Sequence, residues 1–482
     1  MKIGIGLSAP DFQYDIHALV QSFFPDDELV LFGPLDTEKA AGVYDRTMYV
    51  KIPELTDRKA AKNILKKELY RELSAMTSQS LPWGVLGGIR PVRIPMQALK
   101  EGRTEEEAKQ LLQNEYLVSP EKADLAVRIA LKEMEAVNDI LPKGPSMSLY
   151  VHIPFCPTIC AYCSFSSRPM KIWNRIGEGY LNALFKDIEE SAKIADGTYE
   201  GPLTVYIGGG TPTILNASQL DRLLERIENS FDLRGLKEFT VEAGRPDTLD
   251  AEKLNVLLKH GVNRISVNPQ SMNEETLKRI GRQHTAEDVR RAYFTARECG
   301  FDNINMDIIL GLPGEGAEEV TRTLDEIADL SPESLTVHAL AVKRASRIRS
   351  EILEDRMKDP FADRDGSFRG LRFENSAELQ DMVYRRAAGA GMHPYYLYRQ
   401  KNMRGNLENT GFAIDGKECI YNIIMMEELQ SVISCGAGGI SKRIFPDGRI
   451  ERCDAVKDAE LYIQNTDEMI QRKRELFSKE KD

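Results

Sequence analysis

Short apolar runs alternate with amphipathic stretches from Ser148 to about residue 340. The runs are four to seven residues long and rich in β-branched residues, which is typical of buried strands. The predicted strands are Leu149–Ile153, Leu203–Ile207, Phe239–Ala243, Arg264–Val267, Ile304–Leu310 and Ser334–His338. The stretches between them repeat apolar residues at helical spacing, and the predicted helices are Arg175–Ile194, Ser218–Phe231, Ala251–His260, Ala286–Cys299 and Glu319–Leu330. Successive strands begin about 30–50 residues apart, near the size of a βαβ unit.

This alternation predicts an α/β fold whose core, residues 146–345, is a partial (β/α)6 barrel. Right-handed crossovers wrap six parallel strands in one direction and place helices outside them. In such folds the chemistry lies at the carboxyl ends of the strands. Residues of unusual type occur there in this chain, namely His152–Cys163, Gly208–Gly210, Glu242, Asn268–Gln270 and Asp307.

The two flanking parts follow different patterns. The pattern of residues 1–145 predicts an α/β extension of unknown role that ends in a linker at Pro142–Pro145. Its predicted strands are Lys2–Leu7, Glu28–Phe32 and Thr47–Ile52, and its predicted helical stretches are Arg58–Met76 and Thr104–Ile140. Residues 346–482 predict a mostly helical C-terminal domain that covers the substrate, with helices at Arg347–Lys358, Ser376–Ala390 and Glu418–Ser434.

Composition and charge narrow the class of protein. The chain has 482 residues, 42% of them hydrophobic and 29% charged, as in ordinary globular proteins of two or three domains. The net charge of −11 argues against a nucleic-acid partner, which normally requires a basic excess. The chain has neither the pattern of a signal peptide nor a run of about 20 apolar residues, so we expect a cytoplasmic protein without a membrane partner.

Three of the seven cysteines lie within eight residues, in FCPTICAYCSF. Cys156, Cys160 and Cys163 are thiolates at positions i, i+4 and i+7, and thiolate is the ligand that iron–sulfur clusters select. Three ligands leave one iron of a [4Fe–4S] cluster open to a small molecule. A structural zinc site needs a fourth ligand, for which His152 is the nearby candidate. A histidine at a strand end in the core is the preferred interpretation of His152.

Five segments, in order, resemble the oxygen-independent coproporphyrinogen III oxidase (coproporphyrinogen dehydrogenase) family of radical S-adenosylmethionine (SAM) enzymes. They are YVHIPFCPTICAYCSF, GGGTPT, VEAGRPDTL, RISVNPQSMNEETLKRIGRQH and NMDIILGLPGE, between residues 150 and 315. LPWGVLGGIRP, YYLYRQKNMRGNLEN and CGAGGISK resemble the HemZ-type branch. The resemblance implies a [4Fe–4S] cluster, reductive cleavage of SAM to a 5′-deoxyadenosyl radical that abstracts a substrate hydrogen, and a low-potential donor such as flavodoxin or ferredoxin.

The resemblance also implies the residues that bind SAM. Glycines allow the backbone to approach a ligand closely, and Glu242 and Asp307 are carboxylates on otherwise apolar strands, where they need partners. Arg282 offers a planar fork for the SAM carboxylate. The full predicted set is Tyr150, Tyr162, Gly209, Gly210, Thr211, Glu242, Gln270, Arg282, Asp307 and Ala341, beside the cluster ligands Cys156, Cys160 and Cys163.

The implied reaction is the oxidative decarboxylation of two propionates of coproporphyrinogen III to vinyls, giving protoporphyrinogen IX without oxygen. A tetra-anionic substrate calls for arginines and aromatic rings. The candidates are Arg344, Arg347, Arg349, Arg399, Lys401, Arg404, Tyr395, Tyr396 and Tyr398.

One departure from the family pattern leaves other functions open. Ser164 and Phe165 follow Cys163, where the best-established oxidases of the family carry a fourth cysteine. The same ending occurs in a related branch of heme chaperones, so a heme-binding trafficking protein is the alternative, with His338 and His393 as candidate ligands. SAM-dependent anaerobic heme degradation is a further possibility.

Overall fold

The structure is a computed structural model that describes residues 1–25, 27–33, 43–53, 56–88, 90–141, 144–165, 167–343, 346–358, 375–400 and 406–478. Its strands, numbered along the chain, are β1 (Lys2–Leu7), β2 (Glu28–Phe32), β3 (Arg46–Val50), β4 (Met147–Ile153), β5 (Phe155–Cys156), β6 (Arg168–Pro169), β7 (Pro202–Gly209), β8 (Glu238–Glu242), β9 (Arg264–Ser266), β10 (Ile304–Leu310), β11 (Ser334–Ala339), β12 (His393–Tyr398), β13 (Asn409–Ala413), β14 (Ser431–Cys435), β15 (Ile440–Ile444) and β16 (Ile450–Asp454).

The helices surround these strands. In chain order they are α1 (Gln13–Phe23), α2 (Arg58–Thr77), α3 (Arg93–Lys100), α4 (Glu105–Tyr116), α5 (Pro120–Ile140), α6 (Met170–Ala195), α7 (Ala217–Ser230), α8 (Ala251–Lys259), α9 (Glu274–Arg279), α10 (Ala286–Cys299), α11 (Ala317–Leu330), α12 (Arg347–Lys358), α13 (Ala377–Gly389), α14 (Ile420–Glu427), α15 (Ala459–Gln464) and α16 (Thr466–Leu476). In the part of the chain that the structure describes, no helix is both long and apolar enough to cross a membrane.

A sheet with the strand order β12-β13-β11-β10-β9-β8-β7-β4-β14-β15-β16 forms the centre of the molecule. The six predicted strands, β4 and β7 to β11, are present and pair in parallel, as the βα alternation predicted. The main apolar core lies between the outer face of this sheet and the helices, and includes Leu149, Val205, Val241, Ile265 and Ile308. Because successive side chains of a strand point to opposite faces, the polar residues between these apolar ones face the inside of the barrel.

The C-terminal part adds strands at both ends of these six. β13 pairs antiparallel with β11, and β14 lies parallel beside β4. The predicted helix Glu418–Ser434 is therefore wrong in its second half, because α14 ends at Glu427 and Ser431–Cys435 is the strand β14. Glu428 adopts a left-handed conformation at the end of the helix, and the next residues pair with the barrel. Helix propensity does not anticipate such a long-range pairing.

The N-terminal part contains two smaller cores. In the first, α1 and α2 pack on a three-stranded parallel sheet of order β2-β1-β3, around Ile3, Ile5 and Leu69. In the second, α3, α4 and α5 pack around Trp83 and also contact Leu397 of β12. This second core packs the N-terminal extension against β12, a strand of the C-terminal part.

Candidate functional site

A cavity of about 430 Å³ opens at the carboxyl ends of the parallel strands. Twelve of the thirteen predicted site residues line it, including the three clustered cysteines. Because neighbouring parallel strands end at the same edge of a sheet, residues up to about 180 positions apart in sequence meet in one space. The exception is Tyr150, whose ring stacks with Tyr206 and Tyr421 inside the barrel, with centroids 6.0 and 6.1 Å away.

The cysteine loop leaves the first barrel strand and is held in place by backbone bonds. The amide of Ala161 donates to the carbonyl of Ile280 at 2.8 Å, and the Cys163 amide donates to the Cys160 carbonyl at 3.1 Å. Cys160 is buried, whereas Cys156 and Cys163 are half-buried. Burial raises the pKa of the Cys156 thiol and that of the Cys163 thiol. A positively charged ligand would therefore favour the thiolate forms of Cys156 and Cys163.

The three sulfur atoms are not arranged as ligands of a single ion. They do not all lie within 4.8 Å of one another. Thiolates on one zinc ion, with bonds of about 2.3 Å, would be about 3.8 Å apart. His152, the candidate fourth ligand for zinc, is half-buried near the end of β4 and contacts the carbonyl of Ala437 through Nδ1. The donor set is therefore three sulfurs without the spacing of a single-ion site.

Gly209 and Gly210 form a close-packed cradle beside this loop. Gly209 has φ of 114°, which favours glycine, and a Cβ there would lie 2.4 Å from the His152 ring. A Cβ on Gly210 would lie 2.6 Å from the Phe155 carbonyl oxygen and 3.0 Å from Cys156 Sγ. Thr211 donates its hydroxyl to Cys156 Sγ at 3.5 Å. The lack of side chains at Gly209 and Gly210 thus lets the end of β7 pack directly against β4 and the cysteine loop.

Glu242 ends β8 and points into the cavity. Its carboxylate accepts a hydrogen bond from the Tyr206 hydroxyl at 2.7 Å and one from the Gly209 amide at 3.1 Å. Burial, with the charge of Asp307 as a smaller contribution, raises the pKa of Glu242 to about 7 in spite of these donors. A cation that binds here would favour the ionised form.

Asp307 lies opposite, on β10, and remains ionised. Burial alone would raise its pKa, but the nearby His338 ring and the Asn305 amide lower the pKa below its ordinary value. Asn305 Nδ2 and Asn268 Nδ2 donate to the two carboxylate oxygens at 2.6 and 2.8 Å, and His338 Nε2 lies 3.7 Å from Oδ2. The His338 ring also contacts the Tyr398 hydroxyl at 3.3 Å, so the two side chains extend this polar wall.

Arg282 is held by backbone carbonyls. Its guanidinium donates to the carbonyls of Gly244 and Asn268 at 2.8 and 2.6 Å and to the Tyr162 hydroxyl at 3.2 Å, while its Nε has no partner. A buried donor without a partner is costly, so the orphaned Nε marks a place for a ligand or a water. Gln270, at φ of 66°, pairs with Asp307 through the backbone, and Ala341 lines the cavity beyond β11.

The predicted substrate residues divide into two groups. Tyr396 and Tyr398 line the cavity with stacked rings, centroids 6.4 Å apart. Tyr395 is buried in the core. Arg399 instead binds the carbonyls of Leu86, Leu407 and Asn406 at the contact with the N-terminal part.

The remaining candidates lie away from this cavity or outside the described residues. Arg347 is exposed and pairs with Glu351 at 3.1 Å, and neither Arg347 nor Arg349 lines the cavity. His393 is at the opposite end of β12 from Tyr398, where it contacts Glu418 at 3.1 Å. Arg344, Lys401 and Arg404 lie outside the described residues.

The sequence analysis did not single out Tyr206, Arg245 or Arg264, and all three line this cavity. Arg264 is 2% exposed, its Nη2 donates to Ser334 Oγ at 3.2 Å, and its Nε has no partner among the described residues. The available signal was a charged or polar side chain on the inward-facing register of an apolar strand, as for Arg264 in RISV.

Comparison with known proteins identifies the class first. A model of the Radical SAM superfamily matches residues 150–327, which cover β4 to most of α11. The fold also matches the structure titled "Coproporphyrinogen III oxidase (HemN) from Escherichia coli is a Radical SAM enzyme", with a TM-score of 0.52 and 24% identity over 71% of this chain and 73% of that one. The fold and the site thus define a radical SAM protein, a superfamily that uses a [4Fe–4S] cluster and SAM.

Curated relatives identify the family within this class. The oxygen-independent coproporphyrinogen-III oxidase-like protein HemZ of Bacillus subtilis is 40% identical over 94% of this chain and 89% of its own length. The heme chaperone HemW of B. subtilis is 33% identical over 57% of this chain and 66% of its own length. The chain therefore belongs to the family of oxygen-independent coproporphyrinogen III oxidase-like radical SAM proteins, in its HemZ-type branch. This confirms the family and the cofactors that the sequence motifs predicted.

Proposed function

We propose that Cys156, Cys160 and Cys163 hold the [4Fe–4S] cluster and that the adjoining cavity binds SAM. The observation that carries this proposal is the convergence of three thiols, a glycine cradle and an acidic wall at one strand edge. Three protein ligands leave one iron free for a small chelating molecule.

The residues of the wall have separate tasks in this proposal. Gly209 and Gly210 let the backbone reach the methionine portion of SAM, and Arg282 directs its free Nε toward the carboxylate. Glu242 and Asp307 face the amino and ribose groups, for which ionised carboxylates with fixed donors are suitable acceptors. Tyr162 and Ala341 complete the binding surface from the cysteine loop and the end of β11.

We further propose that the substrate is coproporphyrinogen III. The support is the 40% identity to HemZ over 94% of this chain and a cavity wall that combines Tyr396 and Tyr398 with the buried Arg264. The cofactors would supply abstraction of a hydrogen atom from the substrate. Each of two propionates would lose one β-hydrogen and CO₂, and an external acceptor would take the remaining electron. The protein orients the macrocycle and keeps water away from it. A low-potential donor such as flavodoxin or ferredoxin would reduce the cluster.

The test is an anaerobic assay of the reconstituted protein with SAM, a low-potential reductant and coproporphyrinogen III. We expect 5′-deoxyadenosine by chromatography and protoporphyrin fluorescence after oxidation of the product. Cys160→Ala removes cluster and both products and leaves the fold, whereas the control Cys299→Ala, half-buried at the end of α10, retains all three. SAM cleavage by Cys160→Ala would refute the site assignment, and 5′-deoxyadenosine without protoporphyrin would refute the substrate.

The second candidate function is heme binding without decarboxylation. Ser164 and Phe165 replace the extra cysteine, HemW chaperones are among the relatives, and His338 lies in the cavity beside Asp307. A carboxylate next to an imidazole is a common arrangement for a metal-binding histidine. If this function holds, heme will bind stoichiometrically, and His338→Ala will remove the shift of the heme absorption bands that ligation by the protein causes. If coproporphyrinogen is the substrate, the spectrum with heme will not depend on His338.

A further inference from the structure

Arg245 is a buried cation beside the cysteine loop to which neither the motifs nor the comparisons assign a role. It lies three residues after β8, where the chain enters a short turn at Pro246–Thr248. Its side chain is 5% exposed and lines the cavity. A buried arginine requires partners for its five donors, so its contacts define its function.

Asp247 holds one edge of the guanidinium in a two-fold contact. Arg245 Nε and Nη2 donate to the two oxygens of the Asp247 carboxylate, each at 2.8 Å. The remaining Nη1 points toward the loop, where it donates to Thr158 Oγ1 at 3.2 Å and lies 3.9 Å from Cys160 Sγ. The two-point contact fixes the plane of the guanidinium, and thus the direction in which Nη1 points.

The neighbouring charged groups do not come between the Arg245 guanidinium and Cys160 Sγ. Asp247 is bound on the edge of the guanidinium away from Nη1, and Arg245 lowers the pKa of that carboxyl although burial would raise it. His284 lies 3.9 Å from Asp247, and burial with the neighbouring Arg282 lowers the pKa of His284 to about 3, so its ring is neutral. Arg282 itself is directed to backbone carbonyls and Tyr162.

We propose that Arg245 is a positioning residue that orients Cys160 and raises the reduction potential of the cluster. The inference rests on the proposed function, because it takes Cys160 as a cluster ligand. A nearby positive charge stabilises the reduced, more negative cluster more than the oxidised one, and hydrogen bonds to ligand sulfurs also raise cluster potentials. Asp247 sets the strength of the effect, since it partly compensates the charge of Arg245.

The experiment compares Arg245→Gln, Asp247→Asn and the control Arg291→Gln, an exposed residue of α10 whose partner is Asp288. Each protein is reconstituted anaerobically, iron and sulfide are counted, and the reduced cluster is titrated by electron paramagnetic resonance. Arg245→Gln lowers the ratio of reduced to oxidised cluster roughly tenfold at a fixed potential, a shift of about 59 mV for one electron. Asp247→Asn shifts the potential in the opposite direction, and the control does not shift it.

The outcomes separate this inference from the proposed function. A wild-type protein that takes up no cluster refutes the ligand assignment. A wild-type protein with a full cluster, and variants with unchanged potentials, refute only the role of Arg245. If Arg245→Gln loses iron, Arg245→Lys retains the charge without the planar fork, and Asp247→Asn still tests the sign. A merely structural role would lower the iron content of these variants without opposite shifts in potential.

Discussion

A buried ion pair joins the N-terminal extension to the segment that enters β13, and its disruption is a sharp test of the structure. Glu408 has a fully buried side chain and accepts from Lys122 Nζ at 2.7 Å. Trp83 Nε1 donates to the second carboxylate oxygen, Oε2, at 2.7 Å. The Tyr384 hydroxyl donates to Oε1, the oxygen that Lys122 also contacts, at 3.0 Å. Lys122 lies in α5 and its side chain is 8% exposed, so water does not compensate either charge.

The change is Lys122→Met, which removes the ammonium and leaves the Glu408 carboxylate buried. Loss of one partner from a buried pair costs about 3–5 kcal/mol, because the remaining charge is neither solvated nor paired. The double variant Lys122→Met with Glu408→Gln removes both charges of the pair, and its amide can still pair with Trp83 and Tyr384. We expect it to recover about 2 kcal/mol or more of the free energy of unfolding.

The assay is urea denaturation followed by tryptophan fluorescence. The chain has two tryptophans, so in a Trp173→Phe background Trp83 alone reports on this contact. The free energy of unfolding follows from the midpoint and slope of the transition. The control Lys193→Met breaks an exposed pair with Glu190 and should change stability by less than about 0.5 kcal/mol. A loss below about 1 kcal/mol for Lys122→Met, or a double variant no milder than the single one, would refute the reasoning.

Three further predictions follow from single positions. Burial, and to a smaller extent the Glu427 charge, raises the pKa of Glu133 well above its ordinary value. The wild-type protein therefore loses stability as the pH rises from about 4 toward that pKa. We expect Glu133→Gln to be more stable than wild type in urea at pH 7 and to lose this advantage near pH 4. Gly210→Ala places a Cβ against Cys156 Sγ and lowers the iron content after reconstitution, whereas Gly235→Ala, in open space, does not. The affinity for SAM, measured by equilibrium dialysis, rises as Glu242 ionises through pH about 7; a Glu242→Gln variant with the same pH profile would contradict its role.

The sequence by itself determined the barrel and the position of its site. Periods of two and of 3.6 residues are local signals, so the six parallel strands β4 and β7 to β11 could be predicted from apolar spacing. The cysteine spacing is equally local. Since parallel strands place their carboxyl ends together, one topological rule was sufficient to bring Gly209, Glu242 and Asp307 into the same cavity.

Only the tertiary structure decided which polar side chains face that cavity and which stabilise contacts between distant segments. Arg399 stands in a polar run that predicted a substrate ligand, yet its guanidinium binds carbonyls that include Leu86, 313 residues away. Arg245 resembles an ordinary turn residue until the fold brings Cys160 to 3.9 Å. β14 joins the barrel beside β4 through backbone bonds that no side-chain pattern specifies. Such contacts depend on which distant segments become neighbours, and that information is not contained in local spacing.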